Sequence, residues 1–197
     1  MKKFIPLTIL LSLILLITIA INNLSMDTRD NSTDSFDQEN SVKKIDKKNT
    51  DESEVNFVEV DFDLPDFILP DLFEKNKYLS KKDFMGKYTI VNFFASWCST
   101  CIMEHEELLI MQSQGVADLY GIAWRDINEN TIKYLQKNGN PFLRVGADNK
   151  ALFSEIAKIE AVPETWLVNP QGKVVLRLKG NLLNFSIDEI RKYIDLH

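Results

Sequence analysis

Cysteine and histidine are scarce in this 197-residue chain, with two of each. Two cysteines are too few for a disulfide scaffold. They are also too few for a four-ligand structural zinc site, since only His105 and His197 are there to supplement them. A basic excess is missing as well: 23 lysines and arginines face 29 aspartates and glutamates, a net charge of −6. That balance argues against nucleic acid, because a phosphate-neutralising face needs the opposite surplus. It favours solubility and says little about the partner. No internal repeat is visible. What remains is one close pair, Cys98 and Cys101, in a chain with room for one ordinary domain and an accessory segment.

Charge is also absent locally. Phe4 to Ile21 (FIPLTILLSLILLITIAI) carries none, directly after Lys2 and Lys3. Eighteen helical residues span about 27 Å, close to the roughly 30 Å hydrocarbon core. Residues 1–21 are therefore expected to form an N-terminal transmembrane helix. The lysines before it and Asp27 and Asp30 beyond it place the N-terminus inside and the bulk of the chain outside. A cleaved signal peptide is the competing reading, with Thr18-Ile19-Ala20 as an indifferent cleavage site. The apolar run exceeds the usual signal core, which favours a retained anchor. Both readings export the cysteines to a compartment where disulfide chemistry is possible.

Large apolar residues are nearly absent from residues 22–54, a polar and charged stretch that buries too little surface to offset its ordering entropy. It reads as a flexible linker spanning roughly 30 Å root-mean-square. The folded domain is expected over residues 55–197. Phe57 to Asp61 alternates apolar and acidic residues, and a Pro-punctuated extended stretch follows through Pro65 and Pro70. Tyr88 to Ala95 (YTIVNFFA) predicts a central buried strand. A helix from Cys98 toward a stop at Gly115 comes next, then a strand over Val116 to Trp124 and a helix over Asn128 to Asn138 closed by Gly139. Pro141 to Val145 predicts a short strand and Lys150 to Lys158 a helix. Glu164 to Val168 and Lys173 to Leu178 predict a hairpin about the turn Asn169-Pro170-Gln171-Gly172. Ser186 is placed to cap a last helix reaching Tyr193. Alternating strands and helices predict an α/β fold, and the late hairpin makes its sheet mixed.

The pair Cys98-Ser99-Thr100-Cys101 follows the predicted central strand and opens the predicted helix. Thiol–disulfide exchange needs one exposed thiolate to attack and a second thiol near enough to resolve the mixed disulfide. A two-residue spacer at a helix start supplies both: Cys98 lies where unpaired N–H groups favour a thiolate, and Cys101 sits one turn inside. Trp97 would flank the attacking sulfur with an apolar surface. Two inert core cysteines are the plainer reading, set aside on the strand–Trp–Cys-x-x-Cys–helix context. A copper site is the more serious rival. His105, however, lies seven residues after Cys98, about 10.5 Å further along a regular helix, and cannot reach its sulfur. It reads as a packing or surface residue.

The stretch FFASWCSTC, with Val162-Pro163-Glu164-Thr165 downstream, resembles the thioredoxin superfamily. Within it the chain looks like the CcmG/DsbE group, membrane-tethered reductases of cytochrome c maturation. The likeness runs from about Leu64 to Gly180. It includes Gly86-Lys87, Glu104-His105 after the second cysteine, Gly121-Ile122, Arg125-Asp126 and Gly139-Asn140-Pro141. The resemblance implies a thioredoxin fold, with a mixed central sheet flanked by helices. It also implies that Pro163 is a cis-proline facing the active site and that Val162 presents backbone groups to an extended substrate. Glu164 and Glu104 resemble the acidic residues of that group's groove. Ordinary thioredoxins place a buried aspartate on the strand before the pair, and the matching residue here is Asn92, which cannot accept a proton. We therefore expect Glu104 or Glu164, its pKa raised by burial, to assist Cys101. Three departures bear on redox poise and substrate fit: Ser99 where proline is frequent, Ala161 where glycine is common, and Trp166 in place of phenylalanine.

The leading functional expectation is a reductase with no organic cofactor and no metal. Its implied substrate is a disulfide in apocytochrome c or a cytochrome c maturation thiol protein, and a membrane thiol transporter returns electrons. It would sit in a bacterial inner membrane by a single span, with its domain on the periplasmic side. A general exported oxidase or isomerase would use the same residues at a more oxidising potential. A copper-delivering protein would need metal on Cys98 and Cys101. A docking domain with a structural disulfide would keep Cys98 from alkylating reagents.

Overall fold

The computed structural model describes residues 57–183 and 187–197. The expected transmembrane helix over 1–21, linker over 22–54, domain start at 55 and cap at Ser186 lie outside them. Among the described residues no helix is long and apolar enough to cross a membrane.

Strand β4 (Thr89–Phe94) is buried along its whole length, because it runs through the middle of a six-stranded sheet with both faces covered. Its period of two divides the core. Ile90 and Phe94 point to one layer with Leu108, Met111, Leu135 and Ile190. Val91 and Phe93 point to the other with Leu79, Phe84, Phe153 and Trp166. Strands β1 (Val58–Asp63), β5 (Asp118–Trp124), β6 (Arg144–Asp148), β7 (Glu164–Val168) and β8 (Lys173–Lys179) complete the sheet in the order β1-β8-β7-β4-β5-β6. β4, β5 and β6 are parallel, while β7 is antiparallel to β4 and to β8, and β8 to β1. The mixed sheet expected from the late hairpin is therefore present.

Helix α1 (Ser99–Met103) follows β4, and α2 (His105–Gln114) follows α1. The single helix expected after Cys98 is thus broken at Glu104, which ends one segment and starts the next with ψ near −3°. Gly115 closes α2 in the left-handed conformation expected of a glycine stop (φ 61°). Helix α3 (Asn128–Asn138) sits between β5 and β6, α4 (Leu152–Ile156) between β6 and β7, and α5 (Ile187–Leu196) at the end.

Two features depart from the sequence reading. The strand expected over Pro141 to Val145 starts three residues later, at Arg144, because Asn140 and Pro141 belong to the entering loop, where Asn140 Oδ1 accepts the Phe142 amide. The extended stretch before the central strand is also more structured than its prolines suggest. Strands β2 (Ile68–Pro70) and β3 (Tyr78–Ser80) form a separate antiparallel pair, and a short 3-10 turn (Lys81–Phe84) follows. Arg144 fastens this pair to β6. It donates to Asp71 Oδ2 at 2.8 Å, Asp83 Oδ1 at 2.7 Å and the Tyr78 carbonyl at 2.9 Å.

Candidate active site

Cys98 stands at the N-terminal boundary of α1 in extended backbone, just past the C-terminal end of β4. Its Sγ accepts the Cys101 amide at 3.2 Å, a donor that the start of a helix leaves without a backbone partner. The same sulfur lies 3.5 Å from the Val162 carbonyl, to which its thiol donates. Both cysteines are free thiols. Cys98 is more shielded than an attacking sulfur was expected to be, at 7% exposure against 2% for Cys101, because the Val162 carbonyl faces it. The Val162–Pro163 peptide bond is cis. The Pro163 carbonyl is taken by the Gly180 amide at 3.0 Å.

Trp97 is 57% exposed beside Cys98, and its Nε1–H donates to the Arg125 carbonyl at 3.2 Å. The next residue in that loop, Asp126, is buried and serves as a latch. One carboxylate oxygen accepts the Ser96 amide at 2.6 Å, while the other accepts the Ser96 hydroxyl at 3.1 Å and the Ile127 amide at 2.8 Å. The β5–α3 loop thus holds both residues that precede Cys98.

The structure separates the two glutamates expected to assist Cys101. Glu104 falls in the layer that holds Cys101. It is fully buried; Oε1 accepts from Asn92 Nδ2 and Oε2 from the Leu182 amide, both at 3.0 Å. Burial pushes its carboxyl up to about 7, against the lowering effect of those two bonds, and the charge of Glu107 adds to the rise. Burial also pushes the Cys101 thiol well up, reinforced by its contact with Cys98 and by the charges of Cys98 and Glu104. Glu164 is equally buried but belongs to the opposite face. Along β7, Thr165 bonds Asn92 and Leu167 joins the Cys101 layer, while Glu164 and Trp166 alternate with them into the other core. There Glu164 accepts the Trp166 indole N–H at 2.6 Å and pairs with Arg177. Of the two glutamates, only Glu104 shares the layer that holds Cys101. The tryptophan at position 166 supplies an indole donor to Glu164 that a phenylalanine lacks.

Asn92 occupies the position of the missing aspartate and positions Glu104 instead, bridging it to Thr165 Oγ1 at 3.0 Å. His105 is a buried packing residue, with Nε2–H donating to the Gly139 carbonyl at 3.1 Å and its ring edge-on to Tyr134. Sequence reasoning assigned no role to Asp126, Leu182 or Tyr134. Asp126 was within sight, since Arg125-Asp126 belongs to the motif. A backbone amide such as that of Leu182 leaves no mark in a sequence, and Tyr134 joins the core cluster of the cysteines only through the fold, its ring edge-on to His105.

The matching relatives include the thiol:disulfide interchange protein HelX of Rhodobacter capsulatus, 34% identical over 110 residues, or 56% of this chain and 60% of that one. Another is the thiol:disulfide interchange protein DsbE of Pasteurella multocida, 35% identical over 118 residues, or 60% of this chain and 65% of that one. The chain thus spans less than two thirds of the length of either relative. Among solved structures, a putative thiol:disulfide interchange protein DsbE from Chlorobium tepidum superposes with a TM-score of 0.59 at 22% identity, covering 68% of this chain and 96% of that one, and shares the fold. The Redoxin family model matches residues 59–187, which span every element from β1 to the start of α5, and the chain belongs to that family.

Proposed function

We propose that this chain is an exported, membrane-tethered thiol–disulfide oxidoreductase that reduces disulfides in apocytochrome c or its maturation partners. The observation that carries the reading is the Cys98 sulfur, held between the Cys101 amide and the Val162 carbonyl at the mouth of a helix. The relatives' names describe the same reaction class; the cytochrome substrate rests on the motif resemblance. In this reading Cys98 loses its proton and attacks one sulfur of the substrate disulfide, releasing the other as a thiolate. A substrate strand pairs with the backbone at Val162 and packs on Trp97. Cys101 then gives its proton to Glu104 and attacks Cys98, expelling the second substrate thiolate and leaving a Cys98–Cys101 disulfide. A base matched to neutral pH suits a buried thiol that does not ionise unaided. A membrane thiol transporter restores the dithiol. Residues 1–21 are the anchor, 22–54 the linker and 55–197 the redox domain, on the periplasmic side of a bacterial inner membrane.

The equilibrium potential of the pair against defined dithiothreitol or glutathione ratios tests this. A value near about −270 mV is expected for an electron donor, whereas one near about −120 mV would identify a disulfide-forming enzyme and remove the reductase assignment.

A further inference from the structure

Glu104 has no exposed surface, so a proton taken from Cys101 has no direct route to water. The groups around it narrow the exit. Asn92 from β4 and the Leu182 amide are donors toward its two oxygens. Cys98 and Cys101 are the reacting atoms, and His105 of α2 is engaged with the Gly139 carbonyl. Tyr134 of α3 has a buried hydroxyl without a hydrogen-bond partner, so it has no group to which it could hand a proton on. Glu107 remains. The Leu108 amide bonds the Glu104 carbonyl at 3.2 Å, so this stretch forms a helical turn. Glu107, three residues on, therefore lies on the same side as Glu104, with Cβ atoms roughly 5–6 Å apart. Its side chain is half-buried, yet its Oε2 is fully enclosed and has no hydrogen-bond partner. A buried carboxylate oxygen left unpaired calls for an explanation. Here it belongs to an acid that reaches from the interior to the surface.

We infer that Glu107 is the proton exit of the site, taking from Glu104 the proton released by Cys101 and passing it to solvent. The inference rests on the reading of Glu104 as the base. The Cys101 S–H bond breaks as the new S–S bond forms, and Glu104 holds the proton as a carboxylic acid. That O–H then breaks as Glu107 accepts the proton, and Glu107 loses it to water. Glu107 touches no reacting sulfur and acts only through Glu104.

The test uses the full-length chain with Cys98 loaded as a mixed disulfide with a chromophoric aromatic thiol. Attack by Cys101 releases a thiolate that stays unprotonated and is followed by its absorbance, while an indicator dye in weak buffer follows the proton. In the native chain the two signals should rise together. Glu107→Gln should lower the ratio of proton-release to thiolate-release rates at least fivefold, and Glu107→Asp should restore most of it. Signals that stay together in Glu107→Gln would overturn the exit, as would a lag that Glu107→Asp does not shorten. The Glu104 reading is checked separately: Glu104→Gln should slow the thiolate signal itself, and an unaltered signal would remove the base and its exit together. Slowing in Glu104→Gln without any lag in Glu107→Gln would keep the base and reject the exit.

Discussion

At the residue scale, Glu104, the base proposed for Cys101, also bears on stability. Its ordinary pKa of 4.5 becomes about 7 in the fold, chiefly because burial disfavours the charged form. The folded chain therefore binds this proton more tightly than the unfolded chain does. Its contribution is fully present below the unfolded value and is lost as pH rises through the folded one. From 7 against 4.5, at about 1.4 kcal/mol per pH unit, the loss approaches about 3 kcal/mol. Urea unfolding across that range should show stability falling from mildly acid to mildly alkaline pH, with a flatter profile in Glu104→Gln. The variant should also be less stable at low pH, since its amide turns a donor toward either Asn92 Nδ2 or the Leu182 amide. A decline that persists undiminished in Glu104→Gln would assign the effect to other groups. The difference between Glu104 and Glu164 was not legible in the sequence. Both are acids near the motif, and only the period of β7 turns Glu164 toward Trp166 and Arg177.

At the scale of elements, the active loop is held from the side rather than by its own helix, since α1 is only five residues long. Asp126 ties the β5–α3 loop to Ser96 through both carboxylate oxygens, and the Arg125 carbonyl receives Trp97. Asp126→Ala would leave the Ser96 and Ile127 amides without this acceptor and should cost about 2 kcal/mol of stability, read as a lower urea midpoint. Cys98 should also lose its fixed place before the Val162 carbonyl, so its alkylation rate should change while that of buried Cys101 stays low. A midpoint within about 0.5 kcal/mol of the native value would show the latch to be dispensable. Strands rich in β-branched and aromatic residues, and the turn closed by Gly172, were readable because local chemistry alone specifies them. The break at Glu104 and the β2–β3 pair were not. The first follows from burying a carboxylate between Asn92 and Leu182, and the second depends on Arg144, which lies about sixty residues beyond it.

For the whole molecule, the sheet brings together residues far apart in the chain: Asn92 from β4, Glu104 beyond the pair, and Val162 and Pro163 before β7. That explains why the cysteine pair, with Trp97, Val162 and Pro163, was named from local motifs, while the bonds that Asn92 and the Leu182 amide make to Glu104 emerged only from the fold. The proposed anchor makes a prediction at this scale. A retained, charge-free run of eighteen residues should keep the full chain in the membrane fraction after alkaline carbonate washing, whereas a cleaved signal would release it. A chain starting at residue 55 should be released whichever reading holds. If the redox domain is self-contained, that shortened chain should reduce a small soluble disulfide at the rate of the full chain. Against a membrane-embedded thiol partner it should be slower by roughly 10²-fold or more, because tethering replaces dilute encounter with a high effective concentration. Equal rates toward the membrane partner would mean that the anchor adds nothing to electron transfer, and the tethered reading would reduce to a matter of location.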